Sequence, residues 1–289
     1  MMRLSTATKV RLAGALYGVV APLRWCLRQP PDRAICRRGG INWTLDLQEG
    51  IQLSIYCFGV FERTTARALR RLLPSGGVAL DVGANIGAHT LPMARQVGPQ
   101  GRVIAVEPTS ACARLRDNLA RNPDLMSRVT LCPIAILAPG ERRAPAYYAA
   151  WPVRGEEPRH AVHRGVALNA EGSVGVTLDI LVQEQELTRL DLIKIDIDGG
   201  ELAALRGAHA TLERWRPALV LELSAYALIE HGGSLEALLA LLAEARYRLL
   251  DEATFAPLPG DAAAISRLIP ARGSINVVAL PVERQAAAA

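Results

Sequence analysis

The chain has 289 residues, half of them hydrophobic, with 33 Lys and Arg against 28 Asp and Glu and a formal charge of +5 at pH 7. That composition can bury the core of one large α/β domain, while the excess charge is almost all arginine spread along the chain, which excludes the clustered footprint of a nucleic-acid binder. Five cysteines, Cys26, Cys36, Cys57, Cys112 and Cys132, stand at no metal-binding spacing, so the expectation is reduced thiols, a cytoplasmic protein and no metal.

Lys9 and Arg11 precede residues 12–23, a run of 12 without charge. It is too short to span a bilayer. It fits the apolar region of a signal peptide, but no small-x-small cleavage site follows, Pro22 ends the run, and Arg24 and Arg28 continue the basic character. Residues 1–40 are therefore expected to form a helical extension docked on the domain. Cationic and apolar residues together would also suit weak contact of residues 1–30 with an anionic membrane surface. Over 40–52, Ile41, Trp43, Leu45 and Leu47 alternate with polar positions, as an amphipathic strand leading into the domain does. Glu62 stands ahead of a helix over 64–73, where a solvated carboxylate or a helix cap accounts for it on composition alone.

Residues 78–90 combine a buried strand, a glycine turn and a helix start. Val78–Val82 is apolar except for Asp81, and an ionisable group at the end of a buried parallel strand usually faces a ligand at the carboxyl edge of the sheet. Gly83 and Gly87 bracket Ala84, Asn85 and Ile86. Glycines there let the backbone turn sharply and approach a ligand, and the following helix aims unpaired N–H groups at any nearby anion. A dinucleotide site wants Gly-x-Gly-x-x-Gly, whereas here two residues more separate the glycines and an acid precedes them. That arrangement suits a zwitterion, with an amino group for Asp81 and a carboxylate for the helix. The methionine end of S-adenosylmethionine is one.

The next strand, Arg102–Val106, delivers Glu107, placed where a carboxylate accepts both ribose hydroxyls. His89, in a first helical turn, reads as a structural residue. A helix over 110–121 buries Leu115 and Leu119 and stops at Asn122-Pro123, and a third strand covers 129–131. Residues 139–175 are rich in Pro, Gly and Arg and carry Tyr147, Tyr148, Trp151, His160 and His163. A connection this long is a lid, a binding loop or a surface insert, and aromatic faces would suit a ring such as a sugar.

A fourth strand over 191–196 brings Asp196 and then Asp198 to the same edge as Asp81. Acids packed between buried apolar residues need a ligand, a metal or a cation, although Asp198 would also serve as a cap for a helix over 199–212. The strand over 218–223 is apolar except for Glu222, a lone carboxylate that is costly unless paired. A helix over 235–245 and strands over 247–250 and 275–280 complete the domain, 41–281, with residues 282–289 as a disordered tail.

The chain resembles the FkbM-type methyltransferases, S-adenosylmethionine-dependent O-methyltransferases of the class I fold. The resemblance rests on Gly59-Val60-Phe61-Glu62, on Asp81-x-Gly83-Ala84-Asn85-x-Gly87-x-x-Thr90, on Glu107-Pro108, and on Thr177-Leu178-Asp179. It continues through Ile193-Lys194-Ile195-Asp196-Ile197-Asp198-Gly199 with Glu201, Leu205 and Gly207-Ala208, then Glu222 and Asn276. The family usually has Glu at the position of Asp198. The resemblance implies a Rossmann-like, seven-stranded, mostly parallel sheet in the order 3-2-1-4-5-7-6, with strand 7 antiparallel and helices on both faces. It implies that Glu62, Asp81, Gly83, Asn85, Gly87, Glu107 and Ala135 serve the cofactor, Ala135 from the segment that closes over adenine. Asp196 and Glu222 are the expected catalytic pair, acting as base or holding the acceptor hydroxyl, with Asp198 and His163 on the substrate side. The acceptor is then a hydroxyl of a sugar or a polyketide-like natural product. A nucleic-acid methyltransferase and a non-catalytic cofactor-binding module are the alternatives.

Overall fold

The computed structural model describes residues 5–142, 147–155, 160, 165–168, 170 and 174–284. Helix α1 (Thr6–Cys26) starts at Ser5, whose hydroxyl accepts from the Thr8 amide. Its far end is tied down by Arg24, whose guanidinium donates at 2.8–2.9 Å to the Pro30 and Arg33 carbonyls, the Gln29 side chain and the Tyr56 hydroxyl. Along α1, Leu12, Val19, Leu23 and Trp25 are more than half exposed. Among the described residues no helix is long and apolar enough to cross a membrane.

A hairpin of β1 (Arg33–Arg38) and β2 (Ile41–Asp46) follows, pairing residues on either side of position 40. Its alternation buries Ile41, Trp43 and Leu45. The strand expected over 40–52 stops at Asp46, because the Glu49 carboxylate accepts from the Gln52 amide and starts α2 (Gly50–Phe58). Gly59, at φ 73°, ends that helix in the left-handed conformation. Then comes α3 (Arg63–Leu72), with Glu62 as its N-cap residue but no capping bond from its side chain.

The main sheet begins with β3 (Val78–Val82), α4 (Thr90–Val97), β4 (Arg102–Val106), α5 (Ala111–Ala120), α6 (Pro123–Met126) and β5 (Val129–Cys132). Short pieces follow: β6 (Ala135–Ile136), β7 (Tyr147–Ala150), β8 (Val166–Leu168) and β9 (Gly175–Val176). The second half contains α7 (Leu178–Glu184), β10 (Leu192–Ile195), α8 (Glu201–Arg206), α9 (His209–Trp215), β11 (Ala218–Leu223), α10 (Ala225–Glu230), α11 (Leu235–Glu244), β12 (Tyr247–Asp251), α12 (Ala262–Leu268) and β13 (Ile275–Pro281).

Seven strands join in the order β12-β13-β11-β10-β3-β4-β5, and only β13 runs against the rest. Read from the far edge this is 3-2-1-4-5-7-6, the expected order. Alternate side chains feed two cores: Leu80, Ile104, Ile193 and Leu221 enter one layer, and Ala79, Val103, Leu192 and Val220 the other. The α1 residue Tyr17 and the hairpin's Trp43 belong to the second core, so the N-terminal segment packs on the same sheet.

One helix was expected over 199–212, and two are found. In a continuous helix the Gly207 carbonyl would accept from the Thr211 amide, but it accepts instead from the Asp179 amide at 2.8 Å. Asp179 restarts the helix, its Oδ1 accepting from the Thr211 amide at 2.8 Å and its Oδ2 from the Ala210 amide at 3.1 Å. Within 139–175 the described residues include the antiparallel β7–β8 pair, the parallel β6–β9 pair flanks the segment, and His163 lies outside the described residues.

Candidate active site

Parallel pairing sets Lys194 of β10 directly opposite Asp81 of β3. Their side chains leave the same face, with Nζ 3.2 Å from Asp81 Oδ1. The other carboxylate oxygen accepts from Thr90 Oγ1 at 2.6 Å. Lys194 also stands 3.4 Å from Asp196 Oδ2 and donates to the Gly83 carbonyl at 3.4 Å. Burial works against the ammonium, but Asp81, Asp196 and Glu62 outweigh it and raise the Lys194 pKa, so it stays protonated. Asp81 is fully buried and lies off the cavity wall. The neighbouring strand thus supplies a cation to Asp81. Lys194 itself carried no role in the sequence reading. The available signal was its place as one of two lysines, flanked by isoleucines in a buried strand.

The glycine turn follows. Gly83, at φ 81°, sits against the next strand, where a Cβ would come within 1.9 Å of the Asp196 carbonyl oxygen. The amides of Gly83 and Ala84 both donate to the Val106 carbonyl at 3.0 Å. Gly87, at φ 92°, is needed for packing, since a Cβ would strike Leu91 and Leu115, and it too lies off the cavity wall. Asn85, at φ 49°, donates its amide to Glu107 Oε2 at 2.7 Å. The other oxygen of Glu107 accepts from the Thr109 amide at 3.0 Å and hydroxyl at 2.5 Å. Three donors therefore hold a carboxylate that has room for about four, and Glu107 still faces the cavity.

The cavity has a volume of about 1050 Å³ and opens at the carboxyl edge of the sheet. Glu62, Glu107, Asp196, Asp198, Glu222, Asp251 and Glu252 line it against only two cationic side chains among the described residues, Lys9 and Lys194. Burial, followed by repulsion from Asp196, Asp198 and Glu201, raises the Glu222 pKa well above the ordinary carboxylate range. Burial, with Asp196, Glu201 and Glu107, does the same to Asp198, which sits at φ 51°. Glu62 is raised by burial and by Asp196, while Lys9, 3.9 Å away, opposes the shift. Asn276 holds Glu62 Oε2 at 2.9 Å.

Glu201 shapes the loop that carries both aspartates, its oxygens accepting from the Ile197 amide at 2.9 Å and the Gly199 amide at 3.0 Å. Burial pushes its pKa up to about 7. The folded protein therefore binds this proton more tightly than the unfolded chain. Glu201's contribution to stability is fully present below the ordinary carboxylate range and is lost as pH rises through about 7.

His89, 5% exposed, lines the cavity, and its Nε2 has no hydrogen-bond partner among the described residues. Burial and the Lys194 ammonium push its pKa down to about 3, which makes it a poor proton acceptor at neutral pH. Ala135 is fully buried in β6 and is not among the residues that line the cavity. Tyr147 and Trp151 of the 139–175 segment do line the cavity. His160 does not, and sits instead 3.2 Å from Glu230.

Sheet order, glycine turn and paired acids define a Rossmann-like class I methyltransferase. Residues 81–249, more than half of the chain, match the methyltransferase FkbM domain, and the chain belongs to that family, whose cofactor is S-adenosylmethionine. It is 30% identical over 180 residues to methyltransferase sdnD of Sordaria araneosa, covering 50% of this chain and 69% of that protein. The solved methyltransferase FkbM from Methylobacillus flagellatus is 19% identical, with a TM-score of 0.43, over 71% of this chain and 44% of that one. This chain thus spans less than half the length of that structure. A SAM-dependent O-methyltransferase from Thermotoga maritima is 16% identical, with a TM-score of 0.44, over 91% and 82% of the two chains.

Proposed function

We propose that the protein transfers the methyl group of S-adenosylmethionine to a hydroxyl of a neutral small molecule, a sugar or a polyketide-like natural product. The observation that carries this reading is the charge of the cavity wall, seven carboxylates against two lysines. Such a wall attracts the sulfonium and ammonium of the cofactor and repels phosphorylated acceptors and nucleic-acid backbones. The bound cofactor supplies an electrophilic methyl carbon. The protein's part is to align an acceptor oxygen with it, to exclude water and to take up the hydroxyl proton.

Glu107, with one acceptor position left beside its three internal donors, is assigned to the ribose, and Glu62 to the amino-acid end of the cofactor. The Gly83–Asn85 turn brings backbone close to it, and Asp81 acts through Lys194 by holding that turn and Asp196 in place. Replacing Glu107 by Gln keeps its shape and removes its charge, and hydrogen bonds to a charged group contribute ~1.5–3 kcal/mol. Calorimetry is expected to show cofactor affinity falling about tenfold or more. An equal loss for an analogue lacking both ribose hydroxyls would remove Glu107 from this role.

Glu222 is the better proton acceptor of the two catalytic candidates, because burial and then the neighbouring carboxylates raise its affinity for a proton, whereas Asp196 has an ammonium 3.4 Å away. Asp196 is assigned to orienting the acceptor hydroxyl, and Asp198 to contacting the acceptor. Glu222→Gln is expected to slow transfer of labelled methyl to a panel of sugars and polycyclic alcohols by ~10²-fold or more while cofactor affinity stays within a few-fold. Activity in the unmodified protein is expected to rise with pH through a midpoint above the ordinary carboxylate range, as Glu222 loses its proton. Full turnover in Glu222→Gln would move the base elsewhere, and binding without transfer to any acceptor would favour a non-catalytic module. The scattered free cysteines support a cytoplasmic setting, and the exposed apolar surface of α1 beside Arg11 supports weak contact with an anionic membrane surface.

A further inference from the structure

We propose, resting on the methyl-transfer reading above, that the acceptor is an amphiphilic alcohol whose hydroxyl end meets the acidic wall and whose apolar portion lies beneath α1. The cavity has two chemically different ends. Asp196, Asp198 and Glu222 form one, at the ends of β10 and β11. At the other, Val10, Ala13 and Leu16 from the inner side of α1 meet Ile51 and Leu53 of α2. The surfaces are close: a Cβ on Gly50 would lie 4.0 Å from Ala13 Cβ and 3.4 Å from the Trp151 carbonyl, so helix, helix and aromatic segment converge at one place.

Two observations argue that this apolar end receives a ligand and is not merely core. The volume, about 1050 Å³, stands at the upper end of the ~300–1,000 Å³ typical of a site for a single ligand, so there is room for a second sizeable molecule beside the cofactor. Leu12 and Phe58 line the cavity and yet are 55% and 56% exposed. They form a rim that is apolar and open to water, an arrangement that marks an entrance for an apolar group. The hold on α1 is uneven in a way that suits entry there. Arg24 makes four hydrogen bonds at one end, while Lys9 makes a single 3.9 Å ion pair with Glu62 at the other. A free sugar would leave the apolar end unfilled. A hydroxyl on a lipophilic skeleton or chain would use both ends.

The test uses the full chain saturated with S-adenosylhomocysteine, titrated calorimetrically with 1-hexanol, 1-octanol and 1-decanol. Affinity is expected to rise about fourfold per added methylene. The double variant Leu12→Ser/Phe58→Ser changes two exposed residues and so keeps the fold. It is expected to lose about tenfold or more in decanol affinity and less than about threefold in hexanol affinity, with cofactor affinity unchanged. Equal affinities across the series, or the same chain-length dependence in the double variant, would overturn the proposal. Labelled methyl found on nitrogen or carbon of a turned-over acceptor would instead overturn the oxygen-transfer reading, and chain-length dependence would distinguish the two failures.

Discussion

Gly83→Val is expected to abolish S-adenosylmethionine binding. The position is at φ 81°, a conformation that β-branched residues almost never adopt. Any Cβ there would also meet the Asp196 carbonyl oxygen at 1.9 Å and Ile197 Cγ2 at 3.1 Å. The first contact is with backbone and cannot be relieved by turning a side chain. The turn must move away from β10, and it carries with it the Asn85 amide that Glu107 holds at 2.7 Å. Gly76→Ala is the matched control, with φ 71° and nothing within 4 Å of an added Cβ. It should cost ~1 kcal/mol of stability from strain alone and bind the cofactor normally. Calorimetry on both variants, with circular dichroism to verify the fold, separates the effects. Wild-type affinity in Gly83→Val would mean that the turn does not shape the cofactor site.

The second large effect is expected at Lys194. Asp81 is fully buried, and its charge is met by the ammonium at 3.2 Å and the Thr90 hydroxyl at 2.6 Å. Lys194→Met fills similar space but leaves that carboxylate without a cation, and breaking a buried pair from one side typically costs ~3–5 kcal/mol. Urea denaturation should show a loss of that size. Adding Asp81→Asn removes the stranded charge while keeping an acceptor for Thr90, so the double variant should recover most of the stability. A single-variant cost under ~1 kcal/mol, or no recovery in the double, would show that the pair does not hold these strands' ends together. Because Lys194 also reaches Asp196 and the Gly83 carbonyl, the double variant should remain poor at methyl transfer even when stable.

The strands and the glycine turn were legible because their signals are local or periodic, while the order of the strands in the sheet came only from the family resemblance. Apolar runs of five or so residues ending in an acid announced β3, β4 and β11, and Gly83 and Gly87 announced the turn. The position of Glu107 just after β4 was legible from its spacing after Gly83, and it does face the cavity. What could not be read was which neighbour each buried acid faces. The period of two along β10 places Lys194 and Asp196 on one face, but only the register with β3 sets Lys194 opposite Asp81. Without that cation, Asp81 looked like a ligand contact. The break between α8 and α9 was hidden for a related reason. The interruption goes with Asp179, distant in sequence, whose amide takes the Gly207 carbonyl and whose carboxylate takes the Ala210 and Thr211 amides. The Glu49 carboxylate, bonded to the Trp151 amide at 3.2 Å, likewise joins two segments that neither sequence pattern connects.

The crowding of carboxyl groups with raised affinity for protons, Glu62, Asp198 and Glu222, makes the cavity an exchangeable store of hydrogen ions. On the proposed reading, a cofactor of net positive charge entering it favours the ionised forms, so association discharges protons to the solvent and tightens as the medium becomes more alkaline. Conversion of a sulfonium to a neutral thioether withdraws one positive charge from the same enclosure. The carboxyl groups then recover protons, and the spent cofactor is held by one fewer charge–charge attraction than the fresh one. If the cavity holds the cofactor as proposed, turnover would be coupled to a proton cycle between protein and water, with the loss of charge on the guest itself loosening the product.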